Sequence, residues 1–579
     1  MRYPKLKELR TEREMVDVFK GYNHNLRIGD GEFYDMTNLS SDNYPVLSPR
    51  QKRCIYAVPG EPQGLISKDS LCYVDGSDFI INESRIPMGL TVDQKPKTLI
   101  SMGAYVIIMP DKKYINTANP SDYNDIEVTV KTTSTVTFAL CKIDGVKYDQ
   151  PTVQATAPEK PSSMDLWIDT SDTPHVLKQY SATDATWVPI ATTYVKISAT
   201  GIGALFDEND GVLISGIADK ALSNLNSSTV IWAKGADFIV VAGIIDKVTT
   251  QESPITIKRQ MPNMDFIIES GNRLWGCRYG KALNGEMVNE IYASKLGDFK
   301  NWNCFIGIST DSYVASVGTD GPFTGAIDHK GFPIFFKENH MHKVYGSFPA
   351  QFRVQDTPCR GVQNGCDRSL AIVNEVLYYK SRSGVCVYDG SLPVEISSAF
   401  GEEDYFNAAA GSIGNKYYIS MSDRNEIWHL FVYDAAKVMW HREDATQATC
   451  FCNCQGDLYY IDYADKQIKT VRRTGVPETA SVKWQAVTGI LGTDSPDKKY
   501  ISRIDVRMLL EVGTRVSFYA EYNSSGDWEH LFSKDGVNLE TFAIPVRPRR
   551  CDHFRLKIVG DGDGKIYSIC KTIELGSDA

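Results

Sequence analysis

The sequence predicts an all-β protein, a β-propeller of about seven blades with an inserted β-domain and a C-terminal β-sandwich. Three observations predict this fold. Apolar residues alternate with polar ones, or come in short runs bounded by Gly, Asn, Asp and Ser, which is typical of strands and turns. Helix patterns are almost absent, and only residues 5–20 are compatible with one short helix. A hairpin motif also recurs along the chain.

The recurring motif is a turn with Gly, Asn or Asp, followed by two or three large apolar residues. Its copies begin at or include, in chain order, 71–74, 104–107, Leu274, Phe335, Tyr378, Tyr417 and Tyr459. The later copies are roughly 40 residues apart, and a period of this length with strand pairs is the signature of a propeller blade. A set of unrelated hairpins in β-sandwiches remains the alternative.

Two stretches interrupt the repeat and set the predicted domain boundaries. The first is rich in Thr, Ser and Val, and the second has long alternating strands that suit a small sandwich. The predicted segments are an N-terminal arm (1–50), the first blades (51–119), an inserted β-domain (120–255), the remaining blades (256–479) and a C-terminal β-sandwich (480–579).

Composition excludes several classes of protein. The 579 residues include 72 acidic and 62 basic side chains, a formal net charge of −10. This argues against a protein that coats nucleic acid, although it allows a passage through which DNA slides. The longest apolar run, 238–245, is far shorter than a membrane span. The first ten residues contain no apolar h-region, so we expect no signal peptide and synthesis in the cytoplasm.

The 13 cysteines are expected to be free thiols, since their number is odd and no secretion signal is present. Cys450, Cys452 and Cys454 are clustered, and on a strand they share one face. Three thiols in so short a span cannot easily surround a tetrahedral zinc ion. We expect a buried strand face there.

The sequence lacks the common motifs for catalysis and metal binding. The sequence contains no Walker-type phosphate loop, HExxH, GxSxG or Rossmann glycine motif. Residues 560–565 imitate a calcium loop but lack its ligands, so a hairpin turn is expected, and 207–211 is an acidic turn. His340 and His342 share a strand face near His329, without a carboxylate to complete a metal set. We predict no enzymatic activity, no catalytic residue, no cofactor and no metal site.

One basic cluster stands out against the acidic background. Its members are Arg547, Arg549, Arg550, Arg555 and Lys557. It can meet an acidic partner surface or DNA phosphates, and a solvated loop is the alternative. Weaker clusters of the same kind are the pairs Arg472–Arg473 and Lys52–Arg53.

Several strings of residues are distinctive. They are 19–27 (FKGYNHNLR), 30–39 (DGEFYDMTNL), 44–50 (YPVLSPR), 271–276 (GNRLWG), 291–298 (IYASKLGD), Trp302, 335–339 (FFKEN) and 343–346 (KVYG). Most of residues 19–475 resemble the tail hub, or nozzle, proteins of short-tailed bacteriophages, also called packaged-DNA stabilisation proteins. In addition, residues 165–187 resemble a small β-module that recurs in phage tail proteins.

The resemblance implies a structural protein of the virion tail. It implies a ring, expected to be a homohexamer, below the portal and adaptor, which retains packaged DNA and guides its ejection. The partners would be portal, adaptor and other tail proteins, with transient passage of genomic DNA and no specific DNA binding or membrane insertion. Loops at a blade edge can lengthen without disturbing the core. The connections 301–331 and 346–367 are therefore the candidates for a gate.

Two other functions remain open at this stage. A tail-tip or receptor-binding protein would recognise host cell-wall glycan, with Trp187 or Trp528 stacking on sugars, although ordinary packing explains such tryptophans too. A propeller hydrolase that degrades surface polysaccharide would need a pair of catalytic carboxylates. No such pair is recognisable in the sequence.

Overall fold

The structure, a computed structural model, describes residues 10–92, 96–282, 285–472, 475–493, 498–547 and 549–575. Strands dominate these ranges, so the all-β prediction is confirmed. The helices described are short 3-10 turns: Lys220–Leu225, Pro349–Gln351, Asp367–Ser369 and Ser398–Phe400. In the described ranges no helix has both the length and the apolar character needed to span a membrane.

The chain divides into two compact units. Unit 1 comprises Met1–Lys97, Phe335–Met341 and Thr357–Ala579, and unit 2 comprises Thr98–Ile334 and His342–Asp356.

Unit 1 contains small sheets whose strands follow one another in both chain and sheet order. One is formed by Pro62–Ser67, Leu71–Asp75, Asp78–Ile81 and Ser84–Pro87, and another by Ala371–Val373, Val376–Lys380, Val385–Tyr388 and Val394–Glu395. A third run of the same order is Phe406–Ile413, Lys416–Ser422, Trp428–Asp434 and Met439–Arg442.

One sheet of unit 1 joins distant parts of the chain. Its consecutive strands Ala448–Cys454, Asp457–Asp462 and Ile468–Thr470 are completed by Cys54–Ala57, which also pairs with Val476–Pro477. In this register Thr470 lies opposite Cys54. A strand from the N-terminal part of the chain therefore completes the last run of the repeat.

Unit 2 contains two more sheets with the same simple order. They are formed by Thr98–Met102, Tyr105–Met109, Lys113–Asn116 and Tyr123–Asp125, and by Phe266–Ser270, Arg273–Lys281, Met287–Ala293 and Tyr313–Ser316. A further sheet of this kind is formed by Gly325–His329, Phe332–Lys337, His340–Tyr345 and Arg353–Pro358.

In the sequence of unit 2, the segment between these two runs forms an eight-stranded sheet. In sheet order its strands are Val128–Lys131, Thr256–Arg259, Gly211–Ser215, Ser228–Gly235, Phe238–Ala242, Tyr194–Ser198, Val136–Cys141 and Thr249–Gln251. A four-stranded sheet accompanies it: Thr152–Gln154, Leu166–Asp169, Val176–Ser181 and Thr186–Pro189. Ile168 and Leu177 of the smaller sheet are fully buried in the same apolar core as Phe138 and Ile197 of the larger. One hydrophobic core therefore stabilises both.

The C-terminal part of unit 1 is built on long antiparallel strands. Lys499–Tyr522 pairs with Glu529–Ile544, Phe554–Asp561 and Gly564–Leu575, and Lys483–Thr488 pairs with Phe554–Asp561. The N-terminal strands Arg10–Val16, Gly21–Tyr22 and Glu32–Thr37 belong to the same sheet, which continues to Met439–Arg442. We call this the terminal sheet. Leu39–Ser40 and Ser48–Pro49 form a separate pair.

One prediction about secondary structure is wrong. A short helix was expected over residues 5–20, but Arg10–Val16 is a strand that pairs with Gly564–Leu575 along its whole length. Residues 5–9 lie outside the described ranges. Tertiary pairing with a distant strand has overridden a weak local preference for helix.

The recurring motif has a constant place in the fold. Every copy lies on the second strand of its sheet, where its large residues are buried: Leu71, Val106, Trp275, Phe335, Tyr378, Tyr417 and Tyr459. The preceding turn often needs a positive φ, as at Gly331 (78°) and Gly414 (54°), which glycine adopts without strain. Tyr378 and Tyr417 stack with ring centroids 5.2 Å apart, so aromatic packing joins successive sheets.

Candidate functional site

The predicted basic cluster separates into two groups in the structure. Arg555 and Lys557 lie on Phe554–Asp561, and alternation along the strand places both on one face of the terminal sheet. Arg549 instead lies over the ring of Tyr522, 5.5 Å from its centroid. Tyr522 lies on the opposite face of the strand, where it is buried together with the alternate residues that precede it. Arg547 and Arg550 are exposed. Only part of the cluster therefore forms a common surface.

The register of the sheet brings aromatic and acidic side chains to Arg555 and Lys557. Glu521 lies directly opposite Arg555, and Tyr519 lies opposite Lys557 on the neighbouring antiparallel strand. Opposite residues of an antiparallel pair point to the same face, so these four side chains are neighbours.

Aromatic rings enclose the two cations. The Arg555 guanidinium lies 4.7 Å from the ring centroid of Tyr34 and 6.0 Å from that of Trp528. The Lys557 ammonium lies 4.4 Å from the Trp528 ring and 5.2 Å from the Tyr519 ring. These are cation–π distances, so each cation is held between two rings. We call Tyr34, Tyr519, Trp528, Arg555 and Lys557 the cation–aromatic face.

A buried carboxylate fixes the loop that carries Trp528. Glu521 Oε1 accepts a hydrogen bond from the backbone N–H of Gly526 at 2.8 Å. Its other oxygen, Oε2, lies 3.7 Å from Arg555 Nη1 and accepts no hydrogen bond. Glu521 therefore anchors the hairpin and partly neutralises Arg555.

The two cations keep unused hydrogen-bond donors. Arg555 Nε donates to the carbonyl of Thr488 at 3.2 Å. Within the described part of the chain, Lys557 has cation–π contacts but no hydrogen bond or ion pair. Partial burial lowers the pKa of Lys557, against the attraction of Glu521, which raises it. An ammonium group that has lost some water without gaining an acceptor favours the approach of an anion.

The sequence had indicated Arg555, Lys557 and Trp528 separately, but it did not indicate Tyr34, Tyr519 or Glu521. The alternation of Tyr519 and Glu521 along a strand was a usable signal, because it places both on one face. Tyr34 comes from the N-terminal part of the chain, and nothing local connects it to Arg555.

Trp187, the other predicted sugar-stacking residue, is engaged in packing. Its ring meets those of Trp167 and Tyr180, with both centroid distances 5.4 Å and edge-to-face geometry. The Lys178 ammonium lies over Trp167 at 4.8 Å. These contacts explain Trp187 as part of a small aromatic cluster in the four-stranded sheet of residues 152–189.

The candidate metal ligands do not assemble into a site. No group of three His, Cys, Asp or Glu side chains able to hold a metal ion occurs in the ranges that the structure describes. His342 is buried and its Nε2 lies 2.9 Å from Thr319 Oγ1, and His329 is buried as well. Asp210 of the acidic turn pairs with Arg259 at 2.7 Å.

Two further expectations concern local structure. The hairpin turn predicted for residues 560–565 is wrong, because Phe554–Asp561 and Gly564–Leu575 do not pair with each other. Both strands are antiparallel to Lys499–Tyr522, the first along residues 515–522 and the second along residues 499–510, so residues 562–563 only interrupt their path along this one neighbour. Cys450, Cys452 and Cys454 lie on one strand as expected, and Cys454 is buried while the other two are half-buried. Their face packs with Leu65 and Tyr73 of the preceding sheet.

The first candidate gate, residues 301–331, is partly a tightly held loop. Asp311 Oδ2 accepts hydrogen bonds from the N–H groups of Ile306 (2.7 Å), Gly307 (2.6 Å) and Ile308 (3.2 Å). The loop nevertheless presents Phe305 and Ile308 to solvent, since these side chains are about half exposed. The second candidate, 346–367, contains the strand Arg353–Pro358 and a 3-10 turn.

The weaker basic pairs lie near an open cleft of about 590 Å³ in unit 1. Its charges are mostly matched: Arg53 contacts Glu443 at 2.7 Å, and Lys416 contacts Asp42 at 2.6 Å. Arg472 is exposed at its edge, and Arg473 lies outside the described ranges. The cleft is therefore lined by a network of ion pairs.

His441, buried beside this network, predicts a pH dependence of stability. Burial lowers its pKa from 6.5 to about 3, and Lys416 adds to this effect while Asp434 and Asp42 oppose it. Between these two pH values the unfolded chain binds a proton that the folded chain does not, so stability falls as the pH is lowered. At pH 4.5 the loss amounts to about 2–3 kcal/mol.

The measurement is the free energy of unfolding at pH 7.5 and pH 4.5. We expect His441→Gln to lose less stability than the wild-type chain between these pH values, even if it is less stable at both. If His441→Gln loses as much stability as the wild-type chain between the two pH values, the pH dependence cannot be assigned to His441.

Comparisons with known proteins give distant structural likenesses only. No protein-family model and no curated protein matches the chain. Among solved structures, a glycoside hydrolase has 12% identity and a TM-score of 0.21, covering 52% of this chain and 96% of its own. An engineered GH43 glycoside hydrolase with endo-xylanase and exo-arabinofuranosidase activity has 9% identity and a TM-score of 0.20, covering 54% and 96%. Trypanosoma rangeli sialidase in complex with sialic acid has 9% identity and a TM-score of 0.19, covering 96% and 95%.

At these TM-scores the matches assign no activity, substrate or catalytic residue to this chain. They do contradict the prediction that the chain has no enzymatic activity, because the named structures are glycoside hydrolases and a sialidase. That prediction is withdrawn.

Proposed function

We propose that the chain is a structural protein of a bacteriophage tail. It forms a ring, a homohexamer, below the portal and adaptor, where it retains packaged DNA and guides its ejection. The finer architecture belongs to the same proposal: a propeller of about seven blades, an inserted β-domain over 120–255 and a C-terminal β-sandwich over 480–579.

The observation that carries the proposal is the series of small sheets with consecutive strands. In the described ranges seven such runs have the recurring motif on their second strand, and the sheet of residues 152–189 has the same strand order without the motif. The last run is completed by Cys54–Ala57. A propeller in which an early strand completes the last blade has this order of strands, and the rigid blades offer several faces for ring contacts.

The distribution of charge also supports a conduit. Residues 480–579 contain equal numbers of acidic and basic side chains, so the net charge of −10 is carried by residues 1–479. An acidic surface repels DNA phosphates and allows DNA to pass without tight binding. Cyclic symmetry closes the heterologous contacts between copies into a ring.

The test is the mass of the purified full chain, alone and mixed with portal and adaptor proteins, measured by mass photometry. We expect hexamers, either of the chain alone or after the portal–adaptor complex is added, because the proposed ring below the connector is built from six copies of this chain. A chain that stays monomeric in the presence of the connector would contradict the proposal. A trimer that retains cell-wall fragments would favour the receptor-binding alternative.

A further inference from the structure

The cation–aromatic face has properties of a binding site that the ring function does not use. Arg555 and Lys557 are each held between two aromatic rings, so they are fixed in position before any ligand arrives. Aromatic rings do not accept strong hydrogen bonds from an ammonium group. The three N–H donors of Lys557 therefore stay available for an oxyanion.

The neighbouring part of this face is polar and uncharged. Ser517 and Ser533 lie opposite each other with their hydroxyl oxygens 2.7 Å apart, and His530 Nε2 lies 2.8 Å from Ser533 Oγ. These residues follow Tyr519 and Lys557 on the same sheet face. The next cation, Arg515, is 3.8 Å from Asp535 and is therefore paired.

The charge pattern distinguishes between classes of ligand. A nucleic acid has one negative charge per nucleotide, and its binding surface repeats cations along its length. Here unpaired positive charge is confined to one place, and neutral hydrogen-bonding groups follow it. This matches a molecule with one anionic group among many hydroxyl groups.

We propose that the cation–aromatic face binds a saccharide that carries a carboxylate or phosphate group. The anionic group is bound by Lys557 and the outer nitrogens of Arg555. Sugar hydroxyl groups contact Ser517, Ser533 and His530, and the Trp528 ring packs beside the pyranose. Glu521 acts as a positioning residue, because it holds the hairpin that carries Trp528.

The experiment uses the purified full chain on an array of oligosaccharides in matched acidic and neutral forms, with single-stranded oligothymidylate as a separate arm. We expect binding to acidic saccharides only, weaker at high salt, with affinity reduced about ten-fold or more by Lys557→Gln. Arg515→Gln, an exposed cation of the same sheet whose partner is Asp535, is the matched control and should bind as the wild type does.

Lys557 is partly exposed, so Lys557→Gln should fold, and an unchanged melting temperature verifies this. Trp528→Phe is a second variant that keeps a ring at this position. It should bind acidic saccharides more tightly than Lys557→Gln does. No binding on the array would overturn the proposal. Equal binding of acidic and neutral forms, or preferred binding of oligothymidylate, would overturn it as well.

Discussion

Arg53→Met is expected to destabilise unit 1 by about 3–5 kcal/mol, because it leaves the buried carboxylate of Glu443 without its cation. Arg53 is 3% exposed and lies 2.7 Å from both Glu443 and Asp444. It also donates to Thr446 Oγ1 at 2.7 Å. Although burial favours the neutral form of Asp444, Arg53 and Arg50 lower the pKa of that carboxyl, so it is charged in the folded chain.

The position of Arg53 links this pair to the repeat. It immediately precedes Cys54–Ala57, the strand that completes the last run of small sheets. Losing the ion pairs should therefore loosen this strand before the rest of the unit unfolds, and proteolysis should cut the chain faster between residues 40 and 60.

Limited proteolysis with mass spectrometry and thermal unfolding together test this prediction. Arg360→Met is the matched control: Arg360 pairs with Glu395 at 2.7 Å, but its side chain is 57% exposed. Exposed pairs contribute at most about 1 kcal/mol, so the control should behave as the wild type does. Equal effects of the two substitutions would show that the Arg53 network has no special importance.

The second large effect is expected at Arg273 in unit 2, where Arg273→Met should cost about 3 kcal/mol or more. Arg273 is 2% exposed, and burial lowers its pKa. Its guanidinium donates to the carbonyls of Ser294 (2.8 Å), Ser309 (2.9 Å) and Asp311 (2.5 Å). Without it these carbonyls lose their donor.

Arg273 thus holds the base of the first candidate gate, residues 301–331. Amide hydrogen exchange should become faster at Ile306, Gly307 and Ile308, whose N–H groups bond to Asp311. Arg278→Met on the same strand is the control, since Arg278 makes a half-exposed pair with Asp265 at 2.6 Å. Unchanged exchange in Arg273→Met would show that Asp311 alone holds the loop.

The sequence predicted the features that depend on interactions between neighbouring residues, and it missed those that depend on distant segments. The repeat at Tyr378, Tyr417 and Tyr459 depends on local hairpins, whose turns and alternation are visible in the sequence. The strand Arg10–Val16 was missed because its partner, Gly564–Leu575, lies at the other end of the chain. Pairing between such distant segments leaves no local signal.

The same limit applies to the candidate site. Alternation placed Arg555 and Lys557 on one face, but only the register with Lys499–Tyr522 brings Tyr519 and Glu521 to them. The ring contact of Tyr34 depends on a third segment. A site assembled from three segments is therefore visible only in the folded chain.

The most direct test of the central claim is cryo-electron microscopy of intact virions, with this chain located in the map. We expect a six-fold ring around the DNA axis, directly beneath the portal and adaptor, with acidic surfaces of residues 1–479 toward the DNA. Density at the tail tip or at the periphery, away from the DNA axis, would contradict the claim.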